Sequence, residues 1–272
     1  MSEKEDKFVK FVVTLWNDYN YCFSTTYSAW TEKYDKDDWA FGVFLRTMIW
    51  NDEQSHPFFL QNGKYAGFKK KYLENPSGFE KWVEEQINDI KIGGKNQRGA
   101  HRKEAFTKRY FSKAMKQYFD MIDSSTPLEF IKGKPFDDLH TKFMKIKSIR
   151  YLTAFDILER LFRSKHGYYN DYPHQFYRTG GGAKRGLELI YNREGITDTE
   201  WEELGQEIAN KIKENANIPD NILYFEVESI LCMIQKDNVK MKTIDFLACE
   251  LTIEKYAKLY ADLNCKSKKP KC

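Results

Sequence analysis

Apolar residues recur at helical spacing in six stretches of this chain, and they hardly ever alternate at the two-residue period of a strand. Phe79, Trp82, Val83, Ile87 and Ile90 share one helix face, as do Phe106, Tyr110, Ala114, Met115, Tyr118 and Ile122. Leu152, Phe155, Leu158 and Phe162 form a third stripe, and Trp201, Leu204, Ile208 and Ile212 a fourth. Phe225 to Ile234 and Ile244 to Tyr260 supply two more. Breakers stand between them at Asn75-Pro76, Gly93-Gly94, Gly133-Lys134-Pro135, Pro173, Gly180 to Gly182 and Pro219. They divide the chain into helical pieces without an internal repeat or a long linker, and the stretch from Gly93 to Ala100 reads as a loop. The pattern predicts a mainly α, multi-helix globular domain over residues 1–272, with a basic tail at 266–272.

A chain of 272 residues can bury most of its apolar surface without disulfides. Its 20 Phe, 17 Tyr and 6 Trp are enough to fill a core and leave rings over for stacking on bases. No apolar run reaches the 18 residues of a membrane span, and the charged start MSEKEDKF lacks the apolar stretch of a signal peptide. Cys22, Cys232, Cys249, Cys265 and Cys272 are odd in number, form no CxxC pair and have no His at metal-ligand spacing. Together these features predict reduced thiols in a cytoplasmic or nuclear protein with no membrane partner, metal or cofactor.

The net charge is only +4, but it is unevenly spread. From Lys91 to Lys116 there are nine Lys and Arg against one acid, Glu104. Arg98, Arg102, Lys108 and Arg109 in that stretch suit a phosphate backbone; a solvated helix face is the competing reading. Lys266, Lys268, Lys269 and Lys271 make the tail basic, while Asp198, Glu200, Glu202, Glu203 and Glu207 gather acid elsewhere.

The most specific segment runs Tyr177-Arg-Thr-Gly-Gly-Gly-Ala-Lys-Arg-Gly-Leu-Glu-Leu-Ile190. Gly180, Gly181 and Gly182 open a helix, so backbone N–H groups and the positive end of the helix dipole meet there. With Arg178 before them and Lys184 and Arg185 after, they read as a phosphate or pyrophosphate cradle, or else as a turn with incidental basic residues. It is not a Walker loop, because no Gly-Lys-Ser/Thr follows. A second segment, Ile146 to Leu161, sets Asp156 in an otherwise apolar helix. A carboxylate there is either a general base in a cleft or a salt-bridge partner of Arg150, Arg160 or Arg163. In a third, Phe225 to Lys236, Glu228, Cys232 and Lys236 fall on one face at intervals of four, lining a site or forming a plain polar ladder. The aromatic stretch His166 to Tyr177 offers Tyr168, Tyr169, Tyr172 and His174 for stacking on an extruded base, or for packing its own loop. Arg46 and Asn51 are weaker polar candidates.

Taken in order, the helix Leu152–Leu161, the stretch GGGAKRGLELI and the helix Glu228–Lys236 resemble the helical enzymes of thymine hypermodification. These comprise the amino-acid:DNA transferases, the α-glutamyl/putrescinyl-thymine pyrophosphorylases and the helical domain fused to hydroxymethyluracil DNA kinases. The group is similar to helix-hairpin-helix DNA glycosylases. The resemblance covers residues 146–236, about a third of the chain. This chain has Ser148-Ile-Arg-Tyr151 where the family carries hairpin glycines, Gly180-Gly-Gly-Ala183 where it often has Gly-Pro-Gly-Ala, and Met233-Ile-Gln235 where it tends to be acidic.

The resemblance implies a glycosylase-like helical architecture and an enzyme acting on duplex DNA. Its substrate would be a 5-hydroxymethyluracil bearing phosphate or pyrophosphate, which an amino acid or polyamine displaces. The catalytic residues implied are Asp156, Glu228 and Lys236. Two alternatives stay open: a non-catalytic nucleic-acid-binding helical protein, and a base-excising glycosylase.

Overall fold

The computed structural model describes residues 2–19, 30–49, 52–87, 108–164, 166–169, 171–240 and 252–265; at 108, 236–240 and 262–265 it describes the helix but not the side chains. The described residues contain thirteen α-helices, a 3-10 turn at Thr31–Lys33 and no strand. In chain order the helices are α1 (Glu3–Tyr19), α2 (Lys36–Ile49), α3 (Asp52–Gln61), α4 (Lys64–Glu74), α5 (Phe79–Gln86), α6 (Lys108–Ile122) and α7 (Pro127–Ile131). They continue with α8 (Phe136–Met144), α9 (Tyr151–Phe162), α10 (Gly181–Tyr191), α11 (Asp198–Asn215), α12 (Asp220–Lys240) and α13 (Ile253–Cys265). The mainly α expectation therefore holds. The first five stripes lie in α5, α6, α9, α11 and α12, apart from Ile87, which caps the end of α5, and Ile90 and Phe106, which lie outside the described residues. The sixth meets α13, with residues 241–251 also outside them. So does the expected loop from Gly93 to Ala100.

Helix α2 carried no stripe. It buries Trp39 through Leu45 in one unbroken run, then Thr47, Met48 and Ile49. A helix covered on every side shows no apolar period, so its composition, not its spacing, marks it as core.

The chain forms two compact units. One spans residues 26–172 and is built on α2, which packs against α3, α4, α7 and α9 while α5 lies on α6 and α8 on α9. Its core is a lattice of rings. Phe41 lies 5.0 Å from Phe68 and 5.7 Å from Phe119, and Phe44 stacks on Tyr118 at 4.0 Å.

The other unit joins residues 1–25 to 173–272. Here α10 packs on α12, α1 on α13, and α11 against both α1 and α12. Its core is mostly aliphatic and small: Val9, Val12, Leu15, Ala183, Leu187, Ile208, Ala209, Leu231 and Ala257. Thr197 begins α11 with a capping box, its hydroxyl accepting from the Glu200 N–H while Glu200 accepts from the Thr197 N–H.

Candidate functional site

The segment leading into α10 is held down residue by residue. The Phe176 N–H donates to Gln206 Oε1 at 2.7 Å, and the Phe176 ring fills the space over Gly205, where an added Cβ would meet it at 2.2 Å. Arg178 forms ion pairs with Asp198 and Glu202 of α11. The Thr179 hydroxyl donates to Glu228 Oε1 at 2.9 Å, and both residues are buried. Gly180 then caps α10 in an extended conformation, with no side chain capping the helix start.

The glycines that follow do two different jobs. Gly181 is exposed, with nothing within 4 Å of where a Cβ would stand. Gly182 is buried, and a Cβ there would lie 2.6 Å from Cys232 Sγ. One turn on, a Cβ at Gly186 would lie 2.3 Å from the Leu231 carbonyl oxygen. Gly182 and Gly186 thus let α10 approach the backbone of α12, which accounts for half of the glycine signal by packing alone.

The basic residues divide in the same way. Arg178, expected to offer its charge to a phosphate, pairs with two carboxylates of α11. The Arg185 Nε–H donates to Gln235 Oε1 at 3.1 Å on the rim of a groove of about 540 Å³ that Lys4, Glu188 and Arg193 also line. Lys184 is half-buried and has no ion pair among the described residues.

Of the polar line on α12, Glu228 meets Thr179 just before α10 and Cys232 faces Gly182 of α10, while the Lys236 side chain lies outside the described residues. The sequence reading missed Glu226, which is as buried as Glu228. A Glu-x-Glu inside an apolar run was the available signal.

Asp156 belongs to the 26–172 unit. It is buried on α9, as are Glu159 and Arg160, and the Arg163 Nε–H sits 3.2 Å from Glu159 Oε1. The charge on α9 is therefore shared among several side chains of both signs. A second polar cluster in this unit left no trace in the sequence. Buried Glu32 accepts from the Ser164 hydroxyl at 3.1 Å, and His166 has its Nε2 3.9 Å from Glu32 and its Nδ1 3.3 Å from Asp35. Ser164 and Glu32 are 132 positions apart, beyond any local pattern.

The stacking candidates are only partly at the surface. Tyr169, expected to stack on a base, is 2 % exposed with its ring in the core, and burial pushes its hydroxyl well above the usual range. Tyr168 is half-buried with its ring beside Trp39 and His166. Tyr172 is half-buried edge-on to Phe162, and His174 is exposed.

Arg98, Arg102 and Asn51 lie outside the described residues, as does the side chain of Lys108. Arg109 is exposed. Farther along α6, Lys116 pairs with Asp120 at 2.8 Å, and the Ser112 hydroxyl donates to Glu84 of α5 at 3.1 Å. Of the described basic residues of this stretch, Lys116 thus stands beside an acid one helical turn on. Arg46 pairs with Asp52.

Among the described residues, no group of three or more His, Cys, Asp or Glu side chains is arranged to hold a metal ion, and no helix is long and apolar enough to cross a membrane. Comparison with known proteins matches no family model, no curated protein and no solved structure.

Proposed function

We propose that this protein is a DNA-modifying transferase of glycosylase-like helical architecture, acting inside the cell. Its substrate is a uracil in DNA bearing a pyrophosphorylated (or phosphorylated) hydroxymethyl group at C5. The nitrogen of an amino acid or polyamine bonds to the C5 methylene carbon, the carbon–oxygen bond breaks, and its electron pair leaves with pyrophosphate. The observation that carries the reading is the bond from Thr179, at the threshold of α10, to the buried carboxylate of Glu228. It ties the residue just before one of the three segments on which the family resemblance rests to another of them. Glu228 takes the amine proton. The leaving group meets the start of α10 at Gly181 and the Lys184 ammonium, whose positive charge matches the negative charge that grows as the bond breaks.

The test is incubation with duplex DNA carrying pyrophosphorylated hydroxymethyluracil and a panel of amines, followed by nucleoside analysis. Wild-type protein is expected to yield an aminated nucleoside and free pyrophosphate. Lys184→Ala is expected to lose roughly a hundredfold in turnover, the range seen when a preorganised charge stabiliser is removed. Wild-type protein that gives neither product would sink the transferase.

A non-catalytic helical binding protein is the second reading. It is favoured by the packing roles of Gly182 and Gly186 and by the ion pairs of Arg178. On that reading, Lys184→Ala weakens DNA affinity modestly and no product forms.

A further inference from the structure

We infer that Thr179 is a positioning residue: its hydroxyl fixes the carboxylate of Glu228 beside the start of α10. The bond itself rests on geometry; its catalytic consequence rests on the transferase reading.

A carboxylate buried as deeply as Glu228 is costly to keep charged unless donors reach it. The Thr179 hydroxyl is one such donor, at 2.9 Å, and a hydrogen bond to the charged form favours that form. Threonine suits the task because its branched Cβ restricts χ1, so the hydroxyl moves little once the backbone is set. That backbone is set from both sides. Upstream, Arg178 and Phe176 tie the segment to α11. Downstream, Gly182 lies on Cys232, one turn along α12 from Glu228, and Gly186 lies on the Leu231 carbonyl. The two glycine contacts set how closely α10 approaches α12, and the threonine holds one oxygen of the carboxylate at that depth. A general base needs this kind of fixed orientation, because a displacement of about 1 Å at a reacting group can cost a hundredfold in rate.

The experiment uses the full chain with Thr179→Val, which keeps the shape and removes the hydroxyl, and Thr179→Ser, which keeps the hydroxyl. Each is made in the wild-type, Glu228→Met and Glu228→Leu backgrounds, the last serving if the methionine variant does not fold. Without substrate, thermal unfolding at pH 7 is expected to show a loss of midpoint for Thr179→Val that largely disappears once Glu228 is replaced, with Thr179→Ser retaining most of the wild-type midpoint. Losses that add across the two sites, or a serine variant as damaged as the valine, overturn the coupling.

With the pyrophosphorylated DNA and an amine, Thr179→Val is expected to lower kcat about tenfold to a hundredfold. KM should stay unchanged, and the acidic limb of the pH–rate profile should move to higher pH, because the charged form has lost a donor. Serine should restore both. A valine variant with wild-type kcat and pH limb overturns the positioning role even if its stability falls. Wild-type protein that releases no pyrophosphate removes the transferase reading and, with it, the catalytic consequence inferred for Thr179; the unfolding cycle still decides the bond.

Discussion

The two units solve the same packing problem with different proportions of ring and aliphatic side chain. The 26–172 unit fills its interior with rings: Phe41 alone has Phe59, Tyr65, Phe68, Tyr118 and Phe119 around it. The unit that joins both ends of the chain brings helix backbones together over Gly182, Gly186 and alanines. Rings hold helices apart and fill the gap with bulk, so that core is sensitive to losing volume. Glycine contacts leave no gap, so that interface is sensitive to gaining volume. The candidate site lies on the glycine-packed interface of α10 and α12.

The sharpest way to break this contrast is to remove a ring. Phe41→Ala should destabilise the protein by about 3–5 kcal/mol, as large-to-small changes at fully buried aromatics do, read as a lowered urea midpoint. A loss below about 1 kcal/mol would mean that the lattice collapses around the gap and does not depend on ring volume.

Adding volume should do comparable but smaller harm in the other unit. Gly186→Ala should cost about 1–3 kcal/mol, because its Cβ meets a backbone carbonyl that trimming a side chain cannot move. Gly182→Ala should be partly rescued by Cys232→Ala, since its obstacle is a side chain. Gly181→Ala should be neutral or slightly stabilising, having open space and a helical position. Equal effects at positions 181 and 186 would erase the distinction between glycines kept for exposure and glycines kept for packing.

A third contrast is electrostatic. In the glycine-packed unit, buried Glu5 accepts from Lys211 and from the Tyr191 hydroxyl, and Lys211 also binds Glu207. Burial pushes the Glu5 carboxyl up, but the Lys211 ammonium, the Ser2 N–H and the Tyr191 hydroxyl outweigh it and hold it below its ordinary 4.5. Burial pulls Lys211 down, but Glu207 and Glu5 outweigh that and hold it above its ordinary 10.5. A depressed carboxyl stabilises above its unfolded value and loses the effect as pH falls through the folded one; a raised ammonium stabilises below its unfolded value and loses the effect as pH rises through the folded one. Glu5→Gln should therefore cost about 1–2 kcal/mol at pH 7 and progressively less under acid, in urea titrations at pH 7 and pH 3.5. A cost that does not change with pH would show that packing, not charge, makes the contact.

The smallest effects belong to features the units share. Thr126 starts α7 in the ring-packed unit with the same kind of capping box that Thr197 gives α11. Thr126→Ala and Thr197→Ala should each cost about 1 kcal/mol. If only one of them lowers the unfolding midpoint, the caps differ in how much their own unit depends on them.

Much of the helical pattern was legible in the sequence because a helix is a local object. Residues three and four apart share a face, so the stripes that became α5, α6, α9, α11 and α12 could be read from spacing alone. Helix α2 could not, because burial on all sides leaves no period to read. At the site, the sequence singled out Gly180 to Gly186 and Glu228, and the helix that holds each. It could not say that Thr179 bonds a residue 49 positions away, or that Ser164 reaches Glu32 across 132. Nor could it separate Gly181 from Gly182: both lack a Cβ, and only a neighbour decides whether that absence exposes an amide or admits a helix. Arg178 makes the same point with charge. In the sequence it stands beside glycines; in the fold it stands beside Asp198 and Glu202, because the turn of α11 that carries them comes back over it. Periodicity is set by bonds along the chain, whereas the partner of a side chain is set by where the chain returns, and that return is decided by the packing of all the helices together.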